Sequence, residues 1–111
     1  MTEQENSIDP SLWVMQEQEC EGDYFFAGNS YMTKGIAEAL HPIEVAFITL
    51  EVKNYVAENN GADYLFVFIH KDGRKVYVID QLSKSMMESG GYTTEEIKEY
   101  NLFTVLFAHE Y

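Results

Sequence analysis

The chain has 111 residues, the length of one ordinary domain. It is 46% hydrophobic and 14% aromatic, which excludes disorder along its whole length. Nineteen acids against seven bases leave a formal net charge of -12, which opposes contact with nucleic-acid phosphates and anionic membrane surfaces and favours basic proteins or cations.

The charge is uneven. Residues 1–23 hold Glu3, Glu5, Asp9, Glu17, Glu19, Glu21 and Asp23 and no Lys or Arg, so this stretch supplies -7 of the -12. The expected organisation is an acidic N-terminal arm, 1–23, partly disordered or docked, followed by a single α+β domain, 24–111. The opening MTEQENSIDP has no basic or apolar region of a signal peptide, and no apolar stretch reaches the length of a membrane span. A single cysteine, Cys20, allows no internal disulfide. A cytoplasmic location is expected from these features.

Residues 1–8 read as disordered. Asp9 and Pro10 suit a helix start, with Asp9 as N-cap and Leu12, Trp13 and Met15 as anchors. A strand is the competing reading, with Trp13 and Met15 followed on the same side by Glu17, Glu19, Glu21 and Asp23. Either way Trp13 implies that part of the arm docks on the body. Tyr24–Ala27 is a short aromatic run, Gly28-Asn29-Ser30 reads as a turn, and 31–37 reads as extended with Gly35 at a bend or bulge.

The clearest helix spans about 42–58, opened by Pro42 and ended by Asn59-Asn60-Gly61. Ile43, Ala46, Phe47, Leu50 and Ala57 form one apolar face; Val45, Ile48, Val52, Tyr55 and Val56 form a second. Such a helix is either sandwiched in the fold or buried partly by another subunit. Runs 64–70 and 75–82 flank Lys71-Asp72-Gly73-Arg74, a strong hairpin signal. A two-residue turn would place Ile69 opposite Val76 and Val67 opposite Val78. That gives an aliphatic face for the helix and an opposite face carrying Tyr64, Phe66, Phe68, His70 and Tyr77. A short helix or loop covers 83–91, and Thr93 with Glu96 forms a capping box for a helix reaching about Tyr100. The alternation over 102–109 predicts a third strand, with Phe103, Val105, Phe107 and His109 on one side. The fold expected is an antiparallel sheet of about 64–70, 75–82 and 102–109, joined by 31–37 as a further candidate, packed through its aliphatic face on helix 42–58.

Few patterns suggest chemistry. Cys20 lies between Glu19 and Glu21, and these carboxylates disfavour the reactive thiolate. His70 and His109 could share the aromatic sheet face, but a metal needs more converging ligands. Glu38-x-x-His41-x-x-Glu44 has ligand-like spacing, yet Pro42 interrupts any helix through it. The sequence lacks the common phosphate-loop, zinc-protease, redox and nucleophile-elbow motifs. The chain is therefore not expected to be an enzyme, and no cofactor, metal or catalytic residue is assigned.

The aromatic residues Phe66, Phe68, Tyr77, Phe103 and Phe107 could stack bases, but seven basic residues cannot build the positive groove that such binding needs. They form either a second core layer, covered by Tyr24–Ala27 or the arm, or a protein interface. Glu17, Glu19, Glu21 and Asp23, if extended, form a carboxylate row that can imitate a phosphate backbone. The arm is otherwise a solubilising tail. Candidate partner-binding residues are thus these four acids and those five aromatics. The expected partner is a protein with a basic surface, with no direct contact to nucleic acid or membrane.

Residues 29–82 carry a further signal. Asn29-Ser30-Tyr31-Met32-Thr33-Lys34-Gly35-Ile36, then Pro42 and its aliphatic helix, then Asp63-Tyr64-Leu65-x-Val67-Phe68, resemble the domain of unknown function 960 family. That family comprises small proteins of Gram-positive bacteria and their mobile elements. The resemblance covers about half the chain and leaves out the acidic arm and 93–111. It implies no activity and assigns no functional residue. It implies a phage or mobile-element setting. The function expected is a non-enzymatic, acidic interaction protein, an anti-defence or anti-CRISPR-like inhibitor of a basic nucleic-acid-binding protein. The alternative is a homo-oligomeric accessory or structural protein with no inhibitory role, a homodimer through helix 42–58, and the third reading is a small enzyme without a recognisable motif.

Overall fold

The computed structural model describes residues 8–111; the reading of residues 1–8 as disordered lies outside them except at Ile8, as do Glu3 and Glu5. The described residues form an α+β fold: a five-stranded mixed sheet with four helices. In chain order these are β1 Trp13–Met15, β2 Asn29–Met32, α1 Lys34–Ala39, α2 Pro42–Asn59, β3 Leu65–His70, β4 Lys75–Asp80, α3 Lys84–Ser89, α4 Thr94–Tyr100 and β5 Leu102–Phe107. Across the sheet the order is β1-β3-β4-β5-β2. All neighbours are antiparallel except β2 and β5, which run parallel. No described helix is long and apolar enough to cross a membrane.

Both readings of the arm hold in part. Asp9 accepts from Ser11 N–H and caps a single 3-10 turn, Pro10–Leu12, and the chain then enters β1. Three residues of helix suffice because Trp13 pairs with His70 and Met15 with Phe68 at the edge of β3. Trp13 is 2% exposed and belongs to the core.

Helix α2 closely matches its expected span. His41 is the N-cap: its Nδ1 accepts from Ile43 N–H, while Glu44 Oε1 accepts from His41 N–H. This fixes His41 as a cap. Asn60 (φ 54°) and Gly61 (φ 121°) end the helix in left-handed conformations. Ile48, Val52 and Val56 face the sheet and are buried; Ile43 and Leu50, on the other side, are more than half exposed.

The face of the sheet that receives α2 is the reverse of the one expected. Phe66, Phe68, Val76, Val78, Phe103, Val105 and Phe107 are buried, whereas Leu65, Val67, Ile69, Tyr77 and Ile79 keep solvent exposure. The cause is one residue in the hairpin. The loop has three residues, Lys71-Asp72-Gly73, with His70 N–H donating to Arg74 C=O and Gly73 at φ 100°. Asp72 carboxyl oxygens hold both the Arg74 N–H and its guanidinium. A three-residue loop closed by a left-handed glycine sets Phe68 opposite Val76 and Phe66 opposite Val78, not Ile69 and Val67. Val76 and Val78 therefore join the phenylalanines, and Tyr77 joins the aliphatic residues.

Two further expectations are corrected. Extended 31–37 is the strand 29–32 followed at once by α1, because Thr33 Oγ1 accepts from Ile36 N–H and starts a helix that Gly35 tolerates. Gly28 is packed against the backbone of Asn101, where a Cβ would lie 1.9 Å from its carbonyl oxygen. That close approach lets Asn29 begin the parallel pairing with Leu102 in place of a turn. The strands also end sooner than expected, at Asp80 and Phe107; residues 108–110 form a 3-10 turn held by Glu110, which accepts from Phe107 N–H and Thr33 Oγ1.

Candidate functional site

The five aromatic candidates do not form one surface. Phe66, Phe68 and Phe103 are at most 1% exposed and Phe107 is 7% exposed, all beneath α2 and its neighbours. They are core residues and are unavailable to a partner. Phe26 from the aromatic run 24–27 seats its ring against Phe66 at 5.1 Å and Phe103 at 5.8 Å, as expected for a core layer covered from that segment. Tyr77 lies on the opposite face, where the ring of Tyr111 meets it edge-on at 5.6 Å.

Phe26 is held in an unusual conformation. It is fully buried with φ at 52°, a region that bulky side chains seldom adopt. Its N–H donates to Asp80 Oδ2 at 2.9 Å, and its carbonyl accepts from Lys53 Nζ at 2.5 Å. Lys53 also lies over the Phe103 ring, 5.1 Å from its centroid. Asp80 is 3% exposed, and its Oδ1 has no hydrogen-bond partner among the described residues. Burial pushes its carboxyl above the ordinary value of 3.8, outweighing the backbone N–H groups that pull it down. The arrangement pins one strained residue under the sheet.

The described part of the arm is tied to the body at specific points. Gln16 N–H donates to Val67 C=O, Gln18 Nε2 donates to Leu65 C=O, and Gln18 Oε1 accepts from Asp63 N–H. Tyr24 and Ala62 exchange both backbone hydrogen bonds. Inward Gln18 leaves Glu17 and Glu19 facing solvent, and Glu21 follows, also exposed. None of the three takes part in an ion pair among the described residues. Asp23 differs: its carboxylate accepts from the Ser85 hydroxyl and N–H, bonds that hold it below the usual carboxylate range. It anchors α3 and leaves the row. Across the arm, the side of α2 bearing Glu51, Asn54, Tyr55 and Glu58 forms a shallow depression with Met15, and Tyr55 also borders one lined by Cys20 and Glu21.

The histidines do not converge. His70 Nδ1 accepts from Asp72 N–H, and its ring meets Trp13 edge-on at 4.8 Å. His109 stacks on Phe107 beyond the end of β5, two strands away. Glu44, the last member of the His41 spacing, is buried and accepts from Trp13 Nε1 at 2.8 Å while capping α2. Its role is structural: it satisfies the indole N–H that a buried Trp brings inside. Cys20 is exposed. No cluster of three or more His, Cys, Asp or Glu among the described residues could hold a metal ion.

Sequence reasoning missed the uncovered sheet face. Its side chains are Val14 from β1; Leu65, Val67 and Ile69 from β3; Lys75, Tyr77 and Ile79 from β4; and Leu102, Thr104 and Leu106 from β5. Tyr31 of β2 continues it. The alternation was visible in the sequence, but a register wrong by one residue assigned this face to the helix. No family model, curated protein or solved structure matches the chain.

Proposed function

We propose that this protein is a non-enzymatic, acidic interaction protein that binds a protein partner with a basic surface. An inhibitor of a nucleic-acid-binding protein, in a phage or mobile-element setting, is the specific form of that reading. The observation that carries it is the carboxylate row Glu17, Glu19 and Glu21, whose backbone is fixed to the body by Gln16, Gln18 and Tyr24 and whose side chains are exposed and make no ion pair among the described residues. A solubilising tail needs no such anchoring. Fixed, unpaired charges act through complementarity, because the ordering entropy is already spent and no internal cation competes. Glu51 and Glu58 flank Tyr55 on α2, which also borders Glu21, and extend the negative surface on that side.

Deleting residues 1–23 is a poor test, since it removes Trp13 and β1 from the core. Charge neutralisation is cleaner. The expected result is capture of a basic nucleic-acid-binding protein from bacterial lysate at low salt, lost at high salt, lost with Glu17→Gln/Glu19→Gln/Glu21→Gln, and competed by added nucleic acid. Capture indifferent to all three changes would rule the electrostatic reading out.

A second reading is a homodimeric accessory protein joined through α2. It is supported by Ile43 and Leu50, 51% and 57% exposed on the outer side of that helix. Light scattering would then show a dimer mass that Leu50→Glu reduces without unfolding the chain.

A further inference from the structure

We propose that the uncovered face of the sheet is a homodimer interface, in which two copies stack face to face with their strands antiparallel. It is distinct from the outer surface of α2, and it takes up Glu17 and Glu19 of the acidic row while leaving Glu21 outside.

Three observations favour a second copy as the occupant. The first is composition. In a chain with nineteen acids, no strand position on this face holds a carboxylate. The centre is Val67, Ile69, Tyr77 and Leu106, and the exposed apolar residues Val14 (62%), Tyr31 (53%) and Tyr111 (73%) lie around it. Interface centres are depleted of charge in this way, whereas free surfaces of acidic proteins are not.

The second is size. Five strands about 4.8 Å apart, three of six residues, one of four and one of three, at about 3.3 Å per residue, give a projected face of about 400 Å². The accessible area of a side-chain surface exceeds its projection. With the flanking arm and hairpin it reaches the range of about 600–1,000 Å² per partner found in stable interfaces. The outer side of α2 is a narrower stripe, interrupted by Asn54 and bordered by Glu51 and Glu58.

The third is a charge gradient along the strands. One end of the face meets Glu17, Glu19 and Asp63, which border Leu65 and Val67. The other end meets Lys71 and Lys75 of the hairpin, beside Ile69. At that end Asp72 is engaged by Arg74, and Glu110, beyond β5, is held by Phe107 N–H and Thr33, so Lys71 and Lys75 set the sign beside Ile69. A two-fold axis in the interface plane, perpendicular to the strands, places each basic tip over the other copy's acidic end. Sheets stack in such a manner about 10 Å apart with nearly aligned strands. The parallel stack instead opposes like charges at both ends. Glu21, Glu51 and Glu58 lie beyond this junction and stay available to a basic partner.

The test is sedimentation equilibrium of the full chain at micromolar to submillimolar concentration, with circular dichroism on every variant. Wild type is expected as a monomer–dimer equilibrium. Val67→Asp should raise the dissociation constant about thirtyfold, the effect of a central interface residue. Lys71→Glu/Lys75→Glu and Glu17→Lys/Glu19→Lys should each weaken self-association about tenfold through like-charge contacts. Mixing these two charge variants should restore dimers, because both junctions of the mixed pair are then opposite in sign. A wild type that stays monomeric throughout overturns the proposal. So does a dimer indifferent to Val67→Asp but broken by Leu50→Glu, which would place the interface on α2. Charge variants that mix without restored association overturn the antiparallel order. Should Val67→Asp unfold the chain, the charge variants, which alter only exposed side chains, decide the matter.

Discussion

The two faces of the sheet are both apolar, yet one is sealed and the other is open. The sealed face presents Phe66, Phe68, Phe103 and Phe107 with Val76, Val78 and Val105, and receives α2, Phe26 and Trp13. The open face presents Leu65, Val67, Ile69, Tyr77 and Leu106, all partly exposed. Hydrophobicity alone does not choose between them. The aromatic face gains more from cover, since each buried ring removes more area from water than a valine or leucine does. It also carries polar devices that work only inside: Glu44 for the Trp13 indole and Asp80 for the strained Phe26. The open face has no such devices, and its charges stand at its ends. One face is built as a core and the other as a contact surface.

Truncating one side chain on each face separates a core from an open surface. Phe66→Ala should destabilise the fold by about 3–5 kcal/mol, as expected for a buried phenylalanine. Val67→Ala, its neighbour in sequence but on the open face, should change monomer stability by less than about 1 kcal/mol. Urea denaturation at low concentration measures both, and comparable losses would show that the open face is in fact covered. A smaller effect is expected at the polar edge of the core. Glu44→Ala removes the acceptor of both Trp13 Nε1–H and His41 N–H and should cost about 1–3 kcal/mol, with a blue- or red-shifted Trp13 fluorescence reporting the lost hydrogen bond. Unchanged emission and stability would mean that Trp13 is not seated by Glu44.

The subtlest effect is a pH dependence of the sealed face. The Asp80 carboxyl is raised above 3.8 by burial. Its favourable contribution is therefore fully present below 3.8 and is lost as pH rises through the raised folded-state value. Relative to Asp80→Asn, wild type should lose stability as pH is raised from below 3.8 toward neutrality. Asp23 and Glu110, both lowered, work in the opposite sense: what they contribute is present above their ordinary values of 3.8 and 4.5 and fades on acidification. Thermal melts of wild type and Asp80→Asn across that range isolate the Asp80 contribution. A difference that stays flat with pH would remove it.

Much of the fold was legible from local chemistry. Pro42 and the Asn60-Gly61 end delimit α2, the Thr93–Glu96 capping box opens α4, and the three main strands follow their alternation. Each of these signals is carried by residues within a turn or two of one another, so the sequence suffices to read them. The core membership of Trp13 was also legible, because a lone indole beside a polar arm has few other places to go. The candidate site was legible only in its acidic row. Of that row, Glu17, Glu19 and Glu21 are exposed and make no ion pair among the described residues, while Asp23 is consumed by Ser85, a partner 62 residues away that no local pattern announces.

Local sequence chemistry thus delimits α2, α4 and the three long strands, places the acidic excess in the arm, and marks the alternation along those strands, but it misreads β2 and α1 as a turn and an extended run. Which face lies under α2 was decided only in three dimensions. Strand side chains repeat every two residues, so a loop of three residues in place of two exchanges the partners of Val76 and Val78 and moves Tyr77 to the other side. Gly73 at φ 100° makes that loop, and Asp72 holds it through Arg74. The parallel pairing of β2 with β5 was likewise beyond local reading, since it joins residues more than seventy positions apart through the close approach of Gly28 to Asn101.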